Sequence, residues 1–151
     1  VFLTAANTAV TTTAGTLQTL VTLTGFSIPT TSTAWLQFAV AKSSGAAEEM
    51  TGSVSVNASA VQTEISWIAS ANTSGSGQVD AFIGPHDATF LRTFKMSVVS
   101  VAATTSLSQL NVAGASALPT GAITQLSVNA HGGGTISVSV GHVKLWEIAG
   151  A

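Results

Sequence analysis

Charge is what this chain lacks most. Four Lys and Arg and six Asp and Glu make up 7% of its 151 residues, where about 25% is usual for soluble domains. So few cations leave no basic patch for nucleic acid, and a net charge of −2 steers nothing from a distance. We therefore expect neither nucleic acid nor a membrane surface as a partner. There is no cysteine, which excludes disulfides, thiolate nucleophiles and cysteine metal sites. There is no tyrosine, and only three tryptophans and six phenylalanines, a poor stock for an aromatic cleft around two carboxylates of the glycosidase kind. Long apolar runs are missing too. Mean hydropathy is positive, but Thr, Ser or Gly interrupts every apolar stretch, so no helical span of ~20 residues can form.

What the chain has instead is Ser and Thr, 41 residues together, within a composition that is 46% hydrophobic. A weakly charged, hydroxyl-rich surface keeps a free monomer poorly soluble and suits a protein packed against others in an assembly. The length is that of one domain, burying roughly two-thirds of its unfolded surface.

Period-two alternation runs through most of the chain and predicts strands. In 16–24, Leu17, Val21 and Leu23 fall on one face with Thr19. Leu36, Phe38 and Val40 form an inward row in 35–41, Val54 and Val56 in 52–58, and Ile65 and Trp67 in 64–69. Val79, Ala81 and Ile83 follow in 78–84, then Phe94, Met96 and Val98 in the longest candidate, 90–101, with a short strand at 107–112. Arg92 and Lys95 are expected at solvent or against Asp80, Asp87 or Glu64. The C-terminal stretch 118–148 reads as three strands, split at His131-Gly132-Gly133-Gly134 and again at Gly141, and the last, 143–148, is apolar enough for a central position. Ala46 to Met50 allows one helical turn at most, which cannot stand alone. Residues 1–15 are extended and weakly patterned, able to pair at a sheet edge or to reach outward. We assign them as an extended N-terminal arm, with Val1, Phe2 and Leu3 as candidate interface residues, and assign 16–151 as the folded domain. The fold class is all-β, a jelly-roll-like antiparallel β-sandwich of about eight strands in a single domain. No fixed-period repeat points to a propeller or solenoid.

Few residues suggest chemistry. His86, His131 and His142 occupy no ligand-like spacing, although His131 is free to approach His86-Asp87 in space. No G-x-S-x-G elbow is present, and the glycines after His131 lack the Lys-Ser/Thr of a phosphate loop. Glu48-Glu49 reads as a solvated loop pair. The residues name no catalytic group, no cofactor and no metal, and we expect no enzyme. Trp35 and Trp67 are candidates for stacking on a glycan, against burial in a core or interface as the ordinary fate of a tryptophan.

Several stretches together resemble a family of phage virion jelly-roll proteins, found as capsid decoration or cement subunits and as tail-associated domains. Gly25-Phe26-Ser27-Ile28-Pro29 followed by Trp35 to Ser44 is similar to one of its strands, with Lys42 where arginine is common. Val54 to Asn57 resembles a strand that ends in Asn-Gly, with Ala58 replacing the glycine. Ile123 to Val128 and Val143 to Ile148 resemble its closing strands. The resemblance implies a capsid decoration or cement protein on the outside of the virion, assembled in the host cytoplasm. Its partners would be the major capsid protein and neighbouring copies of itself, as a homotrimer. The alternative it allows is a receptor- or carbohydrate-binding domain of a tail fibre.

Overall fold

The computed structural model describes residues 2–12, 16–45, 49–59, 64–68, 74–89, 91–102, 106–113, 118–132 and 136–150. Ten strands follow in order: β1 (Phe2–Thr12), β2 (Gln18–Leu23), β3 (Thr33–Gly45), β4 (Met50–Val56), β5 (Ile65–Ile68), β6 (Gly75–Ile83), β7 (Phe94–Ala102), β8 (Ser106–Ala113), β9 (Leu126–Gly132) and β10 (Ile136–Ile148). They form a six-stranded sheet, β1-β10-β3-β6-β7-β8, and a four-stranded sheet, β2-β9-β4-β5, with every pairing antiparallel.

The pairs β1–β10, β2–β9, β3–β6 and β4–β5 nest inside one another along the chain. Eight strands are thus one long hairpin, wound until β10 lies beside β3 and β9 beside β4. This is the jelly-roll winding. The remaining two strands, β7 and β8, are an inserted hairpin that lengthens one sheet beyond the expected eight strands.

The core lies between the sheets. Leu36, Phe38 and Val40 from β3, Val79, Ala81 and Ile83 from β6, and Phe94, Met96 and Val98 from β7 face Val54, Val56, Trp67, Leu126 and Val128. These are the inward rows read from period-two alternation. Beyond the strands, Ile28 and Ile123 form a two-way backbone bridge, 2.9 Å in each direction, and both are fully buried.

The structure corrects several expectations. The segment assigned as an arm is strand β1, paired along its length with β10; backbone donors at a sheet edge are better satisfied by a neighbouring strand than by projecting into water. In β2 the register shifts between Thr19 and Val21, so Leu20 and Leu23 are buried and Thr19 is exposed. The split at Gly141 is a bulge within a single strand, where His142 takes a left-handed φ of 52° and the register slips between Gly141 and Lys144. β10 is central, between β1 and β3. Arg92 is not at solvent but 1% exposed, with Nη2 donating to Gly121 O at 3.0 Å. The helical turn at 46–50 falls partly outside the described residues, as do most of the glycines after His131.

Candidate functional site

Each sheet turns one face outward, and the two faces differ in chemistry. On the six-stranded sheet, cross-strand register aligns Phe2, Trp146, Trp35, Phe82 and Lys95 in one row over five strands. Trp35 stacks on Trp146 (centroids 4.5 Å, 25° between planes) and on Phe82 (5.8 Å, 10°), while Phe2 meets Trp146 edge-on (6.0 Å, 68°). Strand spacing near 4.8 Å makes such stacking natural for rings standing side by side on one face. The polar row beside it anchors Trp35. Asp80 Oδ1 accepts from Trp35 Nε1 at 2.9 Å and from Gln37 Nε2 at 3.1 Å, and Oδ2 accepts from Gln78 Nε2 at 3.3 Å. Farther along the strands, small residues, Ala39, Ala41, Gly77, Ser139 and Gly141, floor a concavity of about 540 Å³ that Val99 borders.

On the four-stranded sheet the outward rows are Thr19–Asn129–Ser53 and Thr22–Ser127–Ser55. Thr19 Oγ1 donates to Asn129 Oδ1 at 2.9 Å, Asn129 Nδ2 donates to Ser55 Oγ at 2.9 Å, and Thr22 and Ser127 share a hydroxyl hydrogen bond of 3.0 Å. At one end of this face the turn Val56–Ser59 is closed by Ser59 N donating to Val56 O, with Asn57 and Ala58 both left-handed (φ 50° and 55°). The Asn57 side chain fixes that turn to the opposite loop. Its Nδ2 donates to Ala122 O at 2.7 Å, and its Oδ1 accepts from the backbone of Thr124 at 2.8 Å and Gln125 at 3.1 Å.

At the other end, His131 Nε2 lies 2.6 Å from Glu64 Oε2 and 3.1 Å from Thr51 Oγ1. A hydroxyl nucleophile of the triad kind needs a base that contacts it through one ring nitrogen and an orienting acid through the other. Here both contacts use Nε2, and among the described residues Nδ1 is buried with no partner, so the two-nitrogen relay of a triad is not formed. The approach of His131 to His86-Asp87 does not occur; its carboxylate is Glu64. His86 donates its backbone N–H to Thr30 O at 2.7 Å, and His142 is exposed at the β10 bulge. Among the described residues no three His, Asp or Glu side chains lie close enough to hold a metal ion.

The two glycan-stacking candidates separate. Trp67 is fully buried, edge-on to Phe38 at 5.3 Å, and has no ring face to offer. Trp35 is half-buried, but Phe82 and Trp146 cover both its faces, so it presents an edge where a pyranose needs a plane. Of the candidate interface residues, Phe2 is 53% exposed at the end of the aromatic row, while Val1 and the Leu3 side chain lie outside the described residues. The aromatic row was not foreseen, because its members come from four strands far apart in sequence. Comparison of the chain with protein-family models, with curated proteins and with solved structures finds no match.

Proposed function

We propose that this chain is a structural subunit of a phage particle, a decoration or cement protein that sits on the outer capsid surface and contacts the major capsid protein and neighbouring copies of itself. The observation that carries this reading is the outward aromatic row Phe2, Trp146, Trp35 and Phe82, with Val99 and Ile148 exposed on the same sheet. Stacked rings bring apolar area to a surface, which favours burial against another protein. The jelly-roll winding and the sequence resemblance support the same reading.

The mechanism is thermodynamic. A subunit that binds the assembled lattice better than its free components stabilises the shell by mass action, about 2.7 kcal/mol per site at a hundredfold excess over the dissociation constant. Electron cryomicroscopy of intact particles tests it. The expected result is this sandwich on the capsid exterior with its six-stranded sheet against a neighbour; a position in the tail, or an aromatic row facing solvent, rejects it.

A further inference from the structure

We infer that the hollow on the outward face of the four-stranded sheet is a binding site for a neutral polyhydroxylated ligand, a saccharide. It encloses about 380 Å³, within the range of small-molecule sites. Its polar walls are Thr19, Thr22, Ser55, Gln125, Ser127 and Asn129, and among the described residues neither a charged side chain nor an aromatic ring contributes.

That lining selects by chemistry. An anion finds no cation and a metal ion no carboxylate. An apolar ligand strips water from hydroxyls and amides without replacing the lost hydrogen bonds. A sugar replaces them, because its hydroxyls, like those of Ser and Thr, both donate and accept. The site is also set before a ligand arrives: Thr19 and Ser55 hold the Asn129 amide from both sides, and the Asn57 clamp fixes the turn that bears Ala58 and Ser59 at the rim. Such preorganisation lowers the entropic cost of binding.

The test is titration of the isotope-labelled protein with glucose, galactose, N-acetylglucosamine and glucuronate, followed by amide NMR shifts. It does not depend on the virion reading, since it uses the isolated protein. The expected result is binding of at least one neutral sugar, with shifts centred on Thr19, Thr22, Gln125 and Asn129. Thr22→Val and Ser127→Ala are each expected to weaken it about fivefold, the effect of one lost hydrogen bond, with Gln125→Leu as the substitute where either fails to fold. Trp35→Ala is expected to leave binding unchanged. The inference is overturned if no neutral sugar binds, if only glucuronate binds, if the shifts centre on the Trp35 row, or if the folded pocket variants bind as the parent does.

Discussion

The six-membered ring of Trp67 occupies the space in which any side chain on Gly52 would have to begin. Glycine at 52 is what lets an edge strand, β5, send the largest side chain of the core under its neighbour β4. Gly52→Ala is therefore expected to cost about 1–3 kcal/mol through overpacking, and Trp67→Ala about 3–5 kcal/mol through the cavity it leaves. The double variant Gly52→Ala with Trp67→Ala is expected to lose less than the sum of its single changes, because the clash goes with the ring. Denaturant melts of the four proteins measure all three quantities, and strict additivity would contradict the contact.

Ala58 holds a left-handed φ of 55° beside Asn57 at 50°. Both central residues positive is the type I′ geometry, which favours Asn-Gly. Ala58→Gly is expected to raise stability by about 0.5–1 kcal/mol, the left-handed penalty of a Cβ less the greater chain entropy of glycine. Asn57→Ala removes the side-chain hydrogen bonds that tie the turn to the loop at 122–125 and is expected to lower the melting temperature clearly.

Among the described residues, Arg92 is buried with one hydrogen bond, from Nη2, while Nε and Nη1 have no partner. Charge removed from water without full compensation is costly, and well-packed apolar replacements of buried ionic groups are often neutral or stabilising by about 1–4 kcal/mol. Arg92→Met is expected to fall in that range, measured by chemical denaturation. Burial pushes the Arg92 pKa below its ordinary value. Between the folded and unfolded values the unfolded chain binds more protons, so in that window this group makes stability rise with pH.

Trp35→Ala opens a gap between Phe82 and Trp146 and removes the donor to Asp80. On a half-exposed face we expect a loss of about 1–2 kcal/mol with the fold retained. If the aromatic row is the attachment surface, occupancy on particles falls far more than stability does, and comparing melting temperature with particle occupancy separates the two effects.

Legibility in the sequence follows the regularity of the backbone. Where strands are unbulged, as at Leu36, Phe38 and Val40 or Val79, Ala81 and Ile83, alternation alone identifies the buried row. A bulge breaks the parity that such a reading needs. One between Thr19 and Val21 hides the true inward pair Leu20 and Leu23, and one at Gly141–His142 makes a single strand look like two. Contacts of high sequence separation leave no local trace. His131 and Glu64 are 67 positions apart, and neither pattern nor spacing joins them. The polar face was partly visible in the alternating Ser53, Ser55, Ser127 and Asn129, but its concavity arises from packing among β2, β4 and β9.

The nested pairing of β1 with β10 and β2 with β9 also sets an order of events during synthesis. Neither of the first two strands has its ladder partner until the last two have been made, so both wait as unpaired, uncharged strands while β3 to β6 can already close among themselves. Long-range pairing of this kind folds slowly and leaves strand edges open to other chains in the interval. A sequence with so few charges has little to keep those edges apart, and crowded copies are most open to mispairing while the chain is still being made.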